Sequence, residues 1–416
     1  MSPGPCLLPD PTIPALSPRK VETQNTIQNT IEVDIERILP GGVGLAHAYG
    51  KTIFVALAAP GDRLRVIIDR TQGNLAFASI KEILTPSLVR VEPPCPYFGR
   101  CGGCDFQQMS YDAQLAAKGE IIRDCLRRIA WLETLPDFVV HPSPSAWHYR
   151  GRATWQIDQE ERAVGYYERG SRRVCDVSNC GVLLPELQET LERVRQTPRI
   201  QFPDGLKHLE VVAGQDGVSL APEFADLHTS ELSQKIAGET YNYNAATFFQ
   251  VNRQLVDSLL AFAPGTTTGE TALDLYCGVG LFTLPLARRF KSVLAVEANH
   301  VAARFARRNL LQARLSNANL VAATVSGWMK ANANVFGPVD LILLDPPRAG
   351  AESVVIKGIL DLHPRRICYV SCDPATLARD LKKLLAGGYT LDSMSAFDMF
   401  PQTHHVETVV YLTRSG

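Results

Sequence analysis

No stretch of this 416-residue chain approaches the roughly 18 consecutive apolar residues that a membrane-spanning helix needs, so no membrane partner is expected. An excess of one charge is also lacking. With 42 basic against 43 acidic residues the net charge is −1, which argues against indiscriminate coating of nucleic acid while leaving a local basic face open. There is no internal repeat of fixed period, which argues against stacked-repeat architectures. The opening MSPGPCLLPDPTIPALSPRK lacks the basic-then-apolar order of an export signal. Residues 1–24 therefore read as a disordered Pro-rich tail and the chain as cytoplasmic, with no obligate protein partner inferred.

What is present is enough chain for more than one core, since a single hydrophobic core seldom serves more than about 250 to 300 residues. An apolar content of 45% and a charged content of 20% are ordinary for a globular protein. Residues 25–84 carry short β-rich segments (IEVDIERI, KTIFVAL, DRLRVIID, LAFASIKEI) broken by PGG, APGD and QGN, which predicts a five-stranded OB-like barrel. Residues 85–240 begin with a cysteine cluster and continue through a helix, DAQLAAKGEIIRDCLRRIA, into strands such as YRGRATWQID and LKHLEVVAG, a mixed α+β domain. From about residue 241 short apolar strands alternate with Arg/Ala/Leu-rich helices (ALDLY, LPLARRF, VLAVEA, VAARFARRNLLQARL, DLILLD, ICYVSC). That alternation predicts an α/β, Rossmann-like doubly wound parallel sheet.

Ligands of such sheets bind outside the carboxyl ends of the strands. ALDLYCGVGLFTLPLA places a strand ending in Asp274 before a turn with Gly278 and Gly280, small residues that let backbone approach a ligand. Glu297 closes the next strand, where an acid can accept both hydroxyls of a ribose. No third glycine follows at the spacing that packs a helix against a pyrophosphate, so a nucleoside-like cofactor, S-adenosylmethionine, is favoured over a dinucleotide. Methyl transfer becomes the leading chemistry. In DLILLDPPRAG a carboxylate, Asp345, ends a strand, and two prolines fix the loop that projects it toward the ligand crevice. Adenine amino-methyltransferases carry an aromatic residue where Arg348 stands, which argues against that class.

One unit later, ICYVS ends at Cys372, before a DPA turn into a helix. A thiol at a helix N-terminus is expected to have its pKa lowered from roughly 8.5. Pyrimidine C5 is too poor a nucleophile to take a methyl group unaided; addition of a thiolate to C6 makes an enolate that can. The adduct must then lose its C5 proton, which calls for a general base. Glu407, in HHVET, is the candidate, with His404 and His405 as chemical alternatives. Cys368, four residues before Cys372 in the same apolar strand, reads as an inert small hydrophobe.

In these motifs the sequence resembles the RNA 5-methyluridine (uracil-C5) methyltransferases, specifically the iron–sulfur branch that acts on 23S ribosomal RNA and carries an N-terminal TRAM domain. The resemblance covers nearly everything after about residue 25. It implies that FFQVN supplies a cofactor-contacting glutamine, Gln250, and that the DLYCGVG loop supplies Tyr276. It matches Glu297 and Asp345 to cofactor-binding acids, Cys372 to the nucleophile and Glu407 to the base. The barrel becomes a TRAM RNA-binding module and RNA the partner.

CPYFGRCGGC sets Cys95, Cys101 and Cys104 in a C-x5-C-x2-C array whose glycines let the loop wrap a metal centre. Three nearby thiols call for a metal or a disulfide; the expected cytoplasmic setting disfavours the disulfide, and zinc stays open on spacing alone. The resemblance implies a [4Fe–4S] cluster with Cys180, in SNCGVLLPEL, as fourth ligand, leaving Cys6, Cys125 and Cys175 unligated. Such a fully ligated cluster organises its surroundings rather than performing chemistry.

The chain departs from related sequences at Leu281, where Asn is frequent after the second glycine, and at Ser326, read as the end of a strand where an acid or amide is usual. Tyr149, Arg150 and Arg152, beside Trp147 and Trp155, are read as a basic and stacking face for RNA, or equally as a solvated arginine face. Uracil C5 is shielded by stacking in a helix, so the target uridine must be single-stranded or extruded. Three rivals stand beside ribosomal RNA methylation: the same chemistry on transfer RNA, a cytosine-C5 methyltransferase, and a silent iron–sulfur RNA-binding scaffold.

Overall fold

The computed structural model describes residues 30–198, 201–333 and 337–415; the tail expected over 1–24 lies outside them. The chain divides into two compact units. The first holds the described residues up to Ile121 together with Tyr167–Arg173 and Gln402–His404; the second holds Ile122–Tyr166, Val174–Pro401 and the described residues from His405 onward.

In the first unit β1 (Thr30–Asp34), β2 (Arg37–Leu39), β3 (Val43–Ala48), β4 (Lys51–Ala56), β5 (Arg63–Gln72) and β6 (Leu75–Thr85) form one sheet in the order β1-β5-β6-β4-β3-β2. Its outermost strands, β1 and β2, are consecutive in the chain and separated only by Ile35 and Glu36, so one bent strand pairs at both edges and the sheet closes. Closure removes exposed edges. This is the OB-like barrel expected from the turn spacing, with its first strand broken, so six segments appear instead of five. Across the break the Ile35 amide donates to Asp62 and the Glu36 amide to Leu45, which keeps the interrupted backbone paired. Val33, Ile53, Val55, Leu64 and Val66 fill the interior, following the two-residue period of strands. Beyond the barrel come the cysteine loop and α1 (Tyr111–Arg128), whose residues from Ile122 on count with the second unit.

The second unit contains β7 (Val140–His141), β8 (Arg152–Asp158), β9 (Ala163–Tyr167), β10 (Val174–Asp176), α2 (Pro185–Gln196), β11 (His208–Gly214), β12 (Gly217–Ala221), the hairpin β13 (Leu232–Ile236) with β14 (Glu239–Tyr243), and α3 (Arg253–Phe262). A sheet ordered β10-β9-β8-β11-β12 shares one apolar cluster with α2, in which Trp155, Leu187, Leu191, Leu209 and Val211 are buried.

The remaining elements are β15 (Gly269–Leu275), α4 (Thr283–Ala287), β16 (Phe290–Glu297), α5 (His300–Gln312), β17 (Ala318–Ala322), α6 (Val325–Asn332), β18 (Leu341–Leu344), α7 (Ser353–Leu362), β19 (Arg366–Ser371), α8 (Pro374–Ala386), β20 (Tyr389–Phe397) and β21 (Glu407–Arg414). They build a sheet ordered β17-β16-β15-β18-β19-β21-β20-β7, in which the strands from β17 to β19 pair in parallel. Leu341 to Leu344 of β18 are all fully buried, as expected for a parallel strand covered on both faces. The doubly wound sheet is therefore present. It ends differently from a purely parallel one: β21 lies antiparallel between β19 and β20. Composition could not reveal this, because TVVYL in β21 is as continuously buried as the parallel strands.

Candidate active site

Parallel register carries three of the expected residues to one line. Leu275 pairs with both Val296 and Leu344, so the next residues along, Tyr276, Glu297 and Asp345, stand side by side at the carboxyl ends of β15, β16 and β18. Tyr276 has φ 64, a left-handed conformation that costs an aromatic residue free energy and persists only where its surroundings enforce it. Gly278 has φ 55 with open space where a Cβ would point, so backbone is exposed to a ligand there. Its amide donates to Glu297 at 2.8 Å, and the Asn299 amide donates to the other Glu297 oxygen at 2.6 Å. Glu297 thus already braces the glycine turn and keeps further acceptor capacity on each oxygen. The helix expected after the glycines is only Thr283–Ala287, too short to act as a dipole, so the loop itself makes the cradle.

Asp274 sits at the base of this cradle, fully buried, with one oxygen bound by the Thr283 hydroxyl at 2.5 Å and Oδ1 without a hydrogen-bond partner among the described residues. Burial pushes its carboxyl up to about 8, with Asp345 and Glu297 adding to the rise and Thr283 opposing it. An orphaned buried oxygen of this kind fits a cationic or amino donor on a bound molecule. Sequence reasoning noted Asp274 as a strand end but gave it no role.

Gln250 is 6% exposed in the loop between β14 and α3. Arg152 holds that loop: it donates to the Thr247 carbonyl at 2.5 Å and the Ala245 carbonyl at 3.2 Å, and pairs with Glu210 at 2.9 Å. This corrects the expectation of an RNA-facing arginine. Burial lowers the Arg152 pKa, and its charge is spent internally. Trp155 is fully buried and Tyr149 is 1% exposed with its hydroxyl on the Pro401 carbonyl, so neither offers a stacking face. Ser326 lies inside α6, which Thr324 caps, rather than ending a strand.

Cys372 follows β19, and Asp373 caps α8 by accepting from the Thr376 amide, with Pro374 at the first helical position. The antiparallel ladder ends with Ser371 paired to Thr408, so Cys372 directly follows and Glu407 directly precedes its last pair. Glu407 is 3% exposed. The loop Asp345–Ala351 is pinned to α8: Thr376 donates to the Arg348 carbonyl, Arg379 to the Ala349 carbonyl, and the Ala351 amide to Asp380. Gly350, with φ 74, has no room for a Cβ beside Arg379 and Asp380.

The electrostatics differ from the expectation of a dipole-lowered thiol. Burial pushes the Cys372 thiol up, Glu407, Asp345 and Asp373 push the same way, and only Arg348 pulls it down. A helix N-terminus is a partial charge, whereas desolvation and nearby carboxylates act with larger force. Glu407 is likewise raised by burial and by Asp345, with Arg348 opposing, and Asp345 is raised by burial. Cys368 is fully buried with its thiol on the Ala263 carbonyl, as an inert packing residue should be.

Cys95, Cys101 and Cys104 are half-buried in the loop between β6 and α1 of the first unit, and Cys180 is half-buried in the second unit. Among the described residues no three His, Cys, Asp or Glu side chains stand as a metal-holding group. In that loop the Gly103 amide donates to the Cys101 sulfur at 3.4 Å, and a Cβ at Gly102 would meet the Tyr167 carbonyl at 2.9 Å. No helix among the described residues is long and apolar enough to cross a membrane.

A model of the tRNA (uracil-5-)-methyltransferase family matches residues 225–415. The chain is 32% identical to a 23S rRNA (uracil(1939)-C(5))-methyltransferase of Pectobacterium atrosepticum, over 94% of this chain and 95% of that protein. It is 34% identical to an uncharacterised RNA methyltransferase of Thermosynechococcus vestitus, over 93% of this chain and 98% of that one. Among solved structures, the tRNA (uracil-54, C5)-methyltransferase of Pyrococcus abyssi in complex with S-adenosyl-L-homocysteine superposes with a TM-score of 0.69 at 26% identity, covering 92% of this chain and all of that one. With the aligned strand ends, the glycine cradle and the neighbouring Cys372 and Glu407, these likenesses have one meaning: the chain belongs to the S-adenosylmethionine-dependent RNA (uracil-C5) methyltransferase family.

Proposed function

We propose that this enzyme methylates C5 of a uridine in 23S ribosomal RNA through a covalent bond between Cys372 and uracil C6. The observation that supports the mechanism is the nearness of Cys372 and Glu407, which flank the last β19–β21 pair, Ser371 with Thr408, and of which the carboxylate acts on the thiol electrostatically, as Asp345 does. Bound S-adenosylmethionine supplies an electrophilic methyl group. Gln250, Tyr276, Glu297 and Asp345 line the place for it, and Asp274 Oδ1 offers an acceptor for its amino group.

The Cys372 thiolate adds its electron pair to C6, and the C5–C6 π electrons form an enolate. C5 takes the methyl group as the sulfonium–carbon bond breaks. Glu407 then removes the C5 proton, the C5–C6 double bond re-forms and the sulfur leaves as thiolate. Burial raises Glu407 well above the ordinary carboxylate range, which makes its ionised form a stronger base. Arg348, which favours the ionised form of both Cys372 and Glu407, opposes the two carboxylates that disfavour the thiolate.

The ribosomal substrate is supported by the name of relatives that match nearly end to end. Transfer RNA is the second reading, since the solved neighbour acts on a transfer RNA uridine. The closed barrel is assigned as a TRAM-type RNA-binding module. Cys95, Cys101, Cys104 and Cys180 are assigned to a [4Fe–4S] cluster, whose four thiolate ligands leave no open iron for substrate. That assignment rests on the all-thiol donor set and the sequence resemblance. Iron and sulfide content with visible absorbance, in wild type and single Cys→Ser variants, tests it.

Mapping 5-methyluridine in total RNA with and without the gene tests the substrate. Loss at one ribosomal position supports the proposal; loss only in transfer RNA replaces it with the second reading.

A further inference from the structure

The loop from Asp345 to Glu352 joins β18 to α7 and carries Arg348, an exposed residue. Its two ends are set by regular structure. The Asp345 amide donates to the Leu275 carbonyl at 3.3 Å, and Ser353, the first residue of α7, accepts from Lys383 at 2.9 Å. Between those ends, every hydrogen bond from the loop to the rest of the fold, among the described residues, goes to α8 or to Tyr369 of β19. Thr376 donates to the Arg348 carbonyl at 3.2 Å, and Arg379 to the Ala349 and Ala351 carbonyls at 3.0 and 3.3 Å. The Ala351 amide is shared between Asp380 at 2.9 Å and the Tyr369 hydroxyl at 3.2 Å.

Asp380 is the hub of this set. It is fully buried, and it also accepts from the Tyr369 hydroxyl at 2.8 Å and from Arg379 at 2.9 and 3.0 Å, so both of its oxygens are bonded. A buried carboxylate persists only with partners of that number. Gly350, at φ 74, lets the loop lie directly on it: a Cβ there would stand 2.8 Å from an Asp380 oxygen and 3.0 Å from the Thr376 Cβ. The same helix begins at the thiol. Asp373, next after Cys372, caps α8, and Tyr369 lies three residues before Cys372 in the chain. Loop and thiol are thus registered to one element. Four charged groups bear on that thiol: Glu407 from β21, Asp373 at the start of α8, and Asp345 and Arg348 from the loop. Arg348 alone among them favours the thiolate, and an exposed side chain takes its place from the backbone that carries it.

We propose that Asp380, with Tyr369, is a positioning residue for the reaction: it latches the loop onto α8 and so holds the Arg348 guanidinium where its charge acts on Cys372 and Glu407. This rests on the covalent mechanism proposed above, in which the thiolate is the attacking group. The near end of the loop is held by β18 instead, so Asp345 and the cofactor place beside it stay put when the latch is loosened.

The experiment reads the thiol directly. Iodoacetamide labelling of Cys372 is followed by peptide mass spectrometry between pH 7 and pH 9 in wild type, Tyr369→Phe, Asp380→Asn, Gly350→Ala, Arg348→Ala and the double variant Tyr369→Phe/Arg348→Ala, with fully buried Cys368 as the internal report of general loosening. Tyr369→Phe removes one hydroxyl, whereas Gly350→Ala keeps every bonding group and lifts the loop off the helix. Each should slow Cys372 labelling about 3-fold near pH 8, with Cys368 labelling as in wild type and S-adenosylhomocysteine affinity within about 2-fold. The double variant should label no more slowly than Arg348→Ala alone, because the latch acts through that side chain. A merely structural role predicts the opposite sign, since a loosened fold admits the reagent and labels faster. Labelling at or above the wild-type rate in Tyr369→Phe and Gly350→Ala, or a further loss in the double variant, overturns the latch and leaves the covalent mechanism untouched. Failure of wild type to cross-link to 5-fluorouridine RNA overturns the mechanism instead, whatever the labelling shows.

Discussion

Cys372 follows and Glu407 precedes the last antiparallel pair of the β19–β21 ladder, Ser371 with Thr408, and the Glu407 carboxylate bears on the thiol. An antiparallel strand inserted beside a parallel one is what brings a carboxylate from the chain's end to the thiol at a strand terminus. Cys372→Ala should abolish methyl transfer, whereas Glu407→Gln should lose roughly 10² to 10⁴ in turnover. Single-turnover transfer of labelled methyl to RNA checks both; measurable transfer by Cys372→Ala would remove the thiol from the chemistry.

Among the described residues Arg348 is the one cation that pulls the Cys372 thiol down against burial, Glu407 and Asp345. Replacing it with Ala should leave less thiolate at a given pH and slow iodoacetamide labelling of Cys372 several-fold at pH near 8. Peptide mass spectrometry resolves Cys372 from Cys368, Cys277 and Cys125, whose thiols are also raised by burial. Equal or faster labelling in the variant would contradict the assigned balance of charges.

Burial holds the Asp274 carboxyl at about 8 in the folded protein. An unfolded aspartate titrates near ~3.9, so between about pH 4 and about pH 8 the folded state binds a proton that the unfolded state has released. Stability is fully present below that window and falls as pH rises through it, by up to about 1.4 kcal/mol per pH unit from this group. Asp274→Asn removes the effect. Urea midpoints at pH 5 and pH 8 should drop more in wild type than in the variant; equal drops would show that Asp274 is ionised in the fold.

Arg152 is an internal brace, so its loss should act on stability and on the Gln250 loop before it acts on RNA. Arg152→Ala strands Glu210 and frees two loop carbonyls, a cost of about 3 kcal/mol. Affinity for S-adenosylhomocysteine should weaken, while the salt dependence of RNA binding, which counts phosphate contacts, stays as in wild type. Denaturant titration, calorimetry and filter binding across salt concentrations read these separately. A flattened salt slope with unchanged stability would restore the RNA-facing role.

Much of the site is legible because it sits on strand ends. DLYCGVG, VEA, LLDPPR and YVSC each terminate a strand, and parallel register then lines Tyr276, Glu297 and Asp345 up with no further information. The barrel is legible from its turns, though not the break at Ile35 and Glu36, where cross-strand amides rather than residue type decide the path. Two things were hidden for physical reasons. Arginines beside tryptophans look like a nucleic-acid face, yet Glu210 and two carbonyls, remote in sequence, draw Arg152 inside. The thiol's protonation depends on burial and on Glu407 and Asp345, 35 and 27 residues away in the chain, which a helix N-terminus nearby does not offset.

Isolation of the bond between protein and nucleobase bears most directly on the covalent mechanism. RNA containing 5-fluorouridine at the target, incubated with enzyme and S-adenosylmethionine, should yield a denaturant-stable complex whose digested peptide carries the methylated nucleotide on Cys372 Sγ. Enzyme that methylates ordinary RNA but never becomes linked to the fluorinated one, or links through another residue, would contradict it.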